Sequence, residues 1–295
     1  NNNKDNKKER KMSGQRLPIK FSELLQLTRV GVQPASISFN NLSMCAEKWI
    51  CIREKVGEQN QVVMIPTANP AMTVRKPITA DAAIMNPKSN ILALAAGNQV
   101  QVFNMDAKSK LGEVTIASPI VFWTWIDETT IAYVTAEAVY HWAATTAGSA
   151  PQKMFAQRDG QIAGSIQLYS VERAASQSID GHAAAFMQYR VQTESGAVAS
   201  AESTLFAIAT KKGSEAKLLV LEVAAGDADK HFARVSVDMA YPPECVGSDF
   251  PVALQASAKN EMIFVVTKMG YLYMYHAGTG SLVFRNRISA DAIFT

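Results

Sequence analysis

The stretch QVQVFNMDAKSK carries the residues best suited to a binding chemistry. Strict alternation predicts a strand whose two valines face one way, while Gln99, Gln101 and Phe103 face the other. Lys108 and Lys110 follow close behind. An aromatic ring, amide groups and positive charge suit an extended peptide of mixed apolar and acidic character. Taken by itself, this stretch favours the alternative that Phe103 is tucked under a neighbouring loop.

Residue patterns for catalysis or for metal binding do not occur in this sequence. The four histidines are scattered, and none has a second histidine or a cysteine at metal-ligand spacing. No nucleophile elbow, phosphate loop or zinc-protease motif is present, and acidic residues are spread singly. Cys51 lies inside an apolar strand and is expected to be buried and inert. We therefore expect a non-enzymatic protein with no catalytic residue, metal or cofactor.

Composition narrows the class of partner. The 295 residues include 48% hydrophobic and only 19% charged side chains, with a net charge of +3. The net charge is small and no element carries a stripe of Lys and Arg residues, which argues against a nucleic-acid partner.

The three cysteines, Cys45, Cys51 and Cys245, form no C-x-x-C motif, and this favours a reducing, cytosolic compartment. No apolar run reaches the length of a membrane span, and the first residues lack the apolar core of a signal peptide.

The first eleven residues, NNNKDNKKERK, contain no apolar side chain. We expect residues 1–11 to be a disordered basic arm or a remnant of an expression vector. Residues 12–295 are expected to form a single β-domain. A basic arm could touch anionic lipid, but the absence of an amphipathic pattern makes this the less favoured interpretation.

Paired short strands recur along the domain, and the first of each pair is a nearly continuous apolar run. The pairs are WICIRE with QVVMI, ILALAA with QVQVF, TIAYVT with AVYHW, TLFAIAT with KLLVLEV, and MIFVVT with YLYMY. The first strands at Ile50, Ile91 and Ile131 are spaced by 41 and 40 residues. A hairpin repeat of about 40–50 residues is typical of the blades of a β-propeller.

The repeat is interrupted after the third pair, because the next full pair begins 74 residues later, at Leu205. Between them, SIQLYSV (165–171) has the pattern of a second strand without its first. About half a blade is therefore expected to be missing between Arg158 and Gly164. Either the protein has lost it, or the printed sequence omits it. A missing strand would leave backbone hydrogen-bonding groups unpaired, which is costly in a closed ring of blades. We therefore favour the interpretation that the printed sequence omits the segment. FSELLQL (21–27) fits either a helical turn or the continuation of a strand.

Several longer runs resemble the amino-terminal domain of the clathrin heavy chain. They are ICIREKVGEQ (50–59), ADAAIMNP (80–87), AVYHW, IQLYSVER (166–173), SDFPVALQ (248–255) and NRIS (286–289). The resemblance implies a seven-bladed β-propeller that binds short linear motifs of endocytic adaptors. It places the protein in the cytoplasm, on the cytosolic face of coated pits and vesicles, with indirect membrane contact. Trimerisation would require regions of the heavy chain that are absent here.

The resemblance also implies a main groove between the first two blades, which takes clathrin-box peptides of alternating apolar residues ending in an acid. The matching positions are Val74, Lys76, Ile78, Leu92, Gln99, Gln101, Phe103, Lys108 and Lys110. Gln99 stands where the family commonly has Thr, and Val74 and Leu92 replace Ile. On this basis Phe103 is expected to line a peptide groove.

Three further peptide sites are implied by the same resemblance. One matches Leu168, Arg173 and Gln177, with part of its wall in the missing stretch. The second is a central pocket, where the matching residue is Phe39. The last matches Phe21, Glu23, Leu272 and Arg287. The alternative for Phe39 is a plain core residue, and for Glu23 and Arg287 a surface ion pair. For the whole domain, the alternative to peptide binding is a structural coat-like scaffold with a degraded groove.

Overall fold

Antiparallel hairpins of short strands dominate the computed structural model, which describes residues 19–44, 48–157, 165–191, 201–223 and 232–290. The chain divides into two units. The described residues of the amino-terminal unit lie within Leu24–His182. Those of the carboxy-terminal unit lie within 183–290, together with residues 19–23.

In its described residues, the amino-terminal unit contains four sheets of consecutive strands. Sheet I is formed by β1 (Leu42–Ser43), β2 (Trp49–Val56), β3 (Gln59–Pro66) and β4 (Val74–Ile78). Sheet II is formed by β5 (Ala82–Met85), β6 (Ile91–Ala96), β7 (Gln99–Asn104) and β8 (Ser109–Thr115). Sheet III is formed by β9 (Phe122–Trp125), β10 (Ile131–Val134), β11 (Ala138–Trp142) and β12 (Gln152–Ala156). Sheet IV is formed by β13 (Ser165–Ser170) and β14 (Ala175–Asp180).

The part of the carboxy-terminal unit that the structure describes contains two sheets built in the same way. Sheet V is formed by β15 (Ala183–Val191), β16 (Ala201–Lys212), β17 (Glu215–Val223) and β18 (Val235–Asp238). Sheet VI is formed by β19 (Pro251–Ser257), β20 (Met262–Thr267), β21 (Tyr271–His276) and β22 (Leu282–Arg287). Short 3₁₀ turns occur at Leu27–Val30, Pro34–Ser36, Pro70–Met72 and Ala258–Asn260.

Each four-stranded sheet is a meander in which every strand pairs with the next one in sequence. This is the construction of a propeller blade, and the predicted all-β, β-propeller class is confirmed. All five predicted strand pairs form antiparallel hairpins. The number of blades in the complete ring stays a prediction.

Sheet II is buried on both faces, which explains its nearly continuous apolar strand β6. On one face, Leu92 packs in a cluster with Cys51 and Met64 of sheet I. On the other face, Ala93 and Val102 pack in a cluster with large aromatic side chains of sheet III, including Trp125, Tyr133 and Trp142. Cys51 is completely buried, as its place in an apolar strand predicted.

The structure determines the conformation of two segments that the sequence left open. Residues 21–26 are irregular, and a 3₁₀ turn follows at Leu27–Val30, so neither a longer helix nor a strand forms there. The strand predicted at 165–171 is β13, and it pairs with β14, which follows it. The interval between Arg158 and Gly164, where about half a blade is expected to be missing, lies outside the described residues, as do the arm 1–11, Cys45 and His231.

Candidate functional site

A groove of about 260 Å³ lies between sheets I and II, both within the amino-terminal unit. Its lining comes from β3, β4, β6, β7, the β7–β8 turn and the first residue of β8. The lining residues are Val62, Lys76, Pro77, Ile78, Leu92, Leu94, Phe103, Asn104, Met105, Lys108 and Ser109. Five of the nine residues predicted for the main groove are among them: Lys76, Ile78, Leu92, Phe103 and Lys108.

The predicted alternation of β7 is observed. Val100 and Val102 are at most 1% exposed, whereas Gln99, Gln101 and Phe103 are half-buried on the opposite face. Because side chains alternate along a strand, this face also carries the cross-strand partners of Phe103 and Gln101 on β6, which are Leu92 and Leu94. The ring of Phe103 therefore lies in a groove with Leu92 at its floor, and not in the core.

Sheet I supplies the opposite wall through its edge strand β4. Pro77 is tolerated there because an edge strand has one side without a ladder partner. Ile78 is half-buried and Lys76 is exposed, and both line the groove. Val74, by contrast, lies further along β4, opposite Met64, and is 40% exposed outside the groove lining.

Lys108 is presented by the turn between β7 and β8. It adopts the left-handed conformation, with φ of 51°, and the side chain of Asn104 braces the turn by accepting the N–H groups of Asp106 (3.0 Å) and Ala107 (2.9 Å). Within the described residues, the ammonium groups of Lys76 and Lys108 have no hydrogen bond or ion pair. The groove thus combines an apolar wall with two uncompensated cations.

Lys110 differs from these two lysines because it is already paired. Its ammonium group forms an ion pair with Glu113 on the same strand. The other carboxylate oxygen of Glu113 accepts a hydrogen bond from the side-chain amide of Gln99. Gln101 lies directly across from Glu113 in the sheet and also hydrogen-bonds it. The structure therefore gathers Gln99, Gln101 and Lys110 around Glu113, beside the residues that line the groove.

Sequence reasoning missed several members of this region. Leu94 could have been found, because a strand antiparallel to β7 must place a residue opposite Gln101. Met105 and Glu113 carried no such signal. Met105 lies in the turn after β7, and Glu113 depends on the register of β8, which was not predicted.

The structure places the first of the secondary sets together on sheet IV. Leu168 and Gln177 are direct cross-strand partners, half-buried and exposed respectively. Arg173 is exposed in the turn that joins their strands, where its N–H donates to the hydroxyl of Ser170 at 3.3 Å. These three residues lie on one small hairpin.

The remaining secondary residues have mixed surroundings. Phe39 and Phe21 are 59% and 61% exposed, so Phe39 is not a plain core residue. Leu272 is only 6% exposed. The guanidinium of Arg287 donates to the carbonyl oxygens of Met269 and Ala290, both at 3.0 Å. Glu23 is exposed near the start of the described chain.

A second cavity, of about 470 Å³, is larger but less suited to a ligand. It is lined by Pro87, Lys88, Ile126, Asp127, Glu128 and Thr129. Lys88 and Glu128 form an ion pair at 2.7 Å. The Asp127 carboxylate accepts N–H groups from Thr129 and Thr130, and the bond from Thr129 contributes most to lowering the pKa of Asp127. Its charged groups are therefore engaged by the two turns that line it, β5–β6 and β9–β10.

The described residues contain neither a cluster of metal ligands nor a membrane-spanning helix. In the part of the chain that the structure describes, no group of three or more His, Cys, Asp or Glu side chains could hold a metal ion. The described segments also contain no helix of the length and hydrophobicity needed to cross a membrane. His276 has a structural role, since its Nδ1 accepts the N–H groups of Gly278 and Thr279 in the turn before β22.

Comparison with known proteins gives consistent results. The chain is 44% identical over 307 residues to the clathrin heavy chain of Dictyostelium discoideum and 40% identical over 309 residues to clathrin heavy chain 2 of Homo sapiens. It is 40% identical over 309 residues to the clathrin heavy chain of Drosophila melanogaster. No family model matches the chain.

A chain in the crystal structure of a mitotic checkpoint complex superposes with a TM-score of 0.55. The superposition covers 86% of this chain and 78% of that chain, at 11% identity, and it shows a shared fold alone. The heavy-chain alignments to Dictyostelium and human proteins include 94% of this chain but only 18% of each relative. The resemblance predicted from the sequence is confirmed: this chain is a homologue of the clathrin heavy chain and corresponds to its amino-terminal domain.

Proposed function

We propose that this domain is a non-enzymatic peptide-binding module of a vesicle coat. Its main groove, between sheets I and II, takes short extended motifs of clathrin-box type, with alternating apolar residues and an acid. The partners are endocytic and trafficking adaptor proteins. The domain works on the cytosolic face of coated pits and vesicles, and adaptors provide its contact with the membrane.

One observation carries this proposal, which is the combination of Phe103 with two uncompensated lysines in a single groove. Apolar side chains of a peptide would pack on Phe103, Ile78 and Leu92. Its acid would approach Lys76 and Lys108, whose charges have no partner among the described residues. An extended segment beside the edge strand β4 is a common mode of peptide recognition.

The two kinds of contact differ in size. Truncation of a buried aromatic anchor typically costs ~2–4 kcal/mol, whereas an exposed ion pair contributes ~0.2–1 kcal/mol and is screened by salt. A short peptide that must order on binding should reach only roughly micromolar to millimolar affinity at one groove. Tight overall binding would come from avidity, in which many copies of the domain bind many motifs at once.

Additional weak peptide sites are part of the proposal. The hairpin of Leu168, Arg173 and Gln177 is one, and the exposed ring of Phe39 belongs to a second. A third contains Phe21, Glu23, Leu272 and Arg287. Because Leu272 is nearly inaccessible, it can form only the floor of the last site.

Calorimetric titration with one clathrin-box peptide tests the main groove. We expect Phe103→Ala to abolish measurable binding and Lys108→Ala to weaken it several-fold. Raising the salt concentration should weaken wild-type binding to a similar degree, because screening acts on the same contact. Phe122→Ala is the matched control, since Phe122 is 54% exposed on sheet III, away from the groove. This control should bind like wild type.

One alternative is favoured by a specific observation. Glu113 engages Gln99, Gln101 and Lys110, and these polar groups would then be lost to a ligand. The domain would in that case be a coat-like scaffold with a degraded groove. The titration separates the two functions, because a scaffold shows no saturable peptide binding. Wild-type affinity in Phe103→Ala, with complete loss in Lys108→Ala, would instead indicate a simple electrostatic patch.

A further inference from the structure

An irregularity in strand β8 determines which side chains reach the end of the groove. Residues three apart on a regular strand point to opposite faces. In β8, however, the register with β7 shifts between Val102 and Phe103, so that Lys110 pairs with Phe103 while Gly112 pairs with Val102. One extra residue on the bulged strand restores a common face for Lys110 and Glu113. Their ion pair depends on this bulge.

Glu113 is thus an acidic side chain that the protein itself supplies at the end of the groove. Its two carboxylate oxygens accept from the ammonium of Lys110 and from the side-chain amide of Gln99. The hydrogen bond from Lys110, followed by the one from Gln101, holds the pKa of Glu113 below its ordinary value. The carboxylate therefore stays ionised at neutral pH. It is exposed enough for a solvent-borne ligand to compete with it, since its side chain is 33% accessible.

We infer that Glu113 is an intramolecular competitor for the acidic residue of a bound peptide and directs that residue towards Lys76 and Lys108. A ligand acid placed at Lys110 would have to displace Glu113 or accept repulsion from it. Such repulsive elements are a general source of specificity. The inference rests on the proposed function, because it concerns the ligand of the same groove.

Glu113→Gln removes the charge with little change in shape. We expect this variant to bind an acidic clathrin-box peptide about two- to fivefold more tightly than wild type, the range for one exposed charge pair. The affinity should also depend more steeply on salt. A peptide whose acid is replaced by its amide should bind both proteins equally. Glu202→Gln is the control, because it breaks another exposed ion pair, with Arg190 on sheet V, and alters the net charge equally.

A double-mutant cycle with Lys110→Ala isolates the competition. In wild type, Lys110→Ala should change peptide affinity by less than about twofold, since Lys110 is occupied. In the Glu113→Gln background, the same substitution should weaken binding and cancel the gain. Acetylation footprinting gives a readout without peptide: Lys110 should react more slowly than Lys108 in wild type and at a similar rate in Glu113→Gln.

The outcomes distinguish this inference from the proposed function. Suppose that wild type binds peptide through Phe103, but that Glu113→Gln changes neither the affinity nor the effect of Lys110→Ala. The competition by Glu113 is then refuted, while peptide binding in the groove is supported. Equal acetylation of both lysines in wild type would refute it as well. If no variant binds the peptide, including wild type, the proposed function and this inference both fail.

Discussion

The hydroxyl of Thr267 donates to the carboxylate of Asp249 at 2.7 Å, and both side chains are at most 1% exposed. The other carboxylate oxygen accepts the N–H groups of Phe250 at 3.0 Å and Met269 at 2.8 Å. A buried carboxylate is costly unless its oxygens are hydrogen-bonded. Here it ties the segment before β19 to the turn between β20 and β21.

Removal of this carboxylate should destabilise sheet VI. Asp249→Ala leaves a buried hydroxyl and two N–H groups without their acceptor, so we expect a loss of about 2–4 kcal/mol in the free energy of unfolding. Urea denaturation measures it. Asp238→Ala, at an exposed position at the end of β18, is the control and should stay within about 0.5 kcal/mol of wild type. Equal midpoints for the two variants would contradict a structural role for Asp249.

Alkaline pH should weaken the protein through its buried tyrosines. Burial, with a smaller contribution from neighbouring Tyr140, raises the pKa of Tyr133 from 10.0 to about 12. The folded state thus favours the neutral phenol. Its contribution to stability is complete below the unfolded pKa and is lost as pH rises from 10.0 through about 12.

Tyr133→Phe removes one such group while it keeps the ring that stacks on Tyr140 at 5.0 Å. Between these two pH values, the variant should lose about 2 kcal/mol less stability than wild type. Denaturant midpoints measured across this pH range provide the test. Parallel pH profiles for the two proteins would show that Tyr133 ionises equally easily in both states.

Deletion of residues 1–11 should leave the melting temperature unchanged, because this sequence has no apolar side chain to bury. The contrasting variant is a longer truncation, through Val30. It removes Leu25, Leu27 and Val30, which pack against the core of sheet I, and should lower the melting temperature by several degrees. A comparable drop on removal of residues 1–11 alone would show that the arm packs on the domain.

Additional protein sequence is expected between Arg158 and Gly164, amounting to about half a blade. Sheet IV has two strands in the described residues, whereas the other sheets have four. The alignment to the Dictyostelium relative spans 307 residues, more than the 295 of the whole chain, so it contains positions with no counterpart here. Sequencing of the transcript across this interval tests the expectation. A continuous transcript that matches the printed chain would establish a true deletion.

Local pattern was enough to determine five of the hairpins and the pairing of their two strands. Alternation along β7 correctly separated the valines from the face with Phe103, because a period of two follows from strand geometry alone. The apolar runs beside short turns identified the hairpins, because a strand that is buried on both faces is apolar at nearly every position. The longer motifs indicated the clathrin heavy chain before any packing was known, since they do not depend on register.

Only the tertiary structure decided which groups the groove offers. At the bulge in β8, the backbone packs closely against the segment that follows β11 of sheet III. A Cβ on Gly112 would lie 2.6 Å from the carbonyl oxygen of Ala144. That contact joins residues distant in sequence, so no local pattern predicts it. The register shift pairs Lys110 with Glu113, whereas Lys76 and Lys108 have no ion pair among the described residues. The sequence determined that lysines stand near Phe103, and long-range packing decided which of them is held in an ion pair.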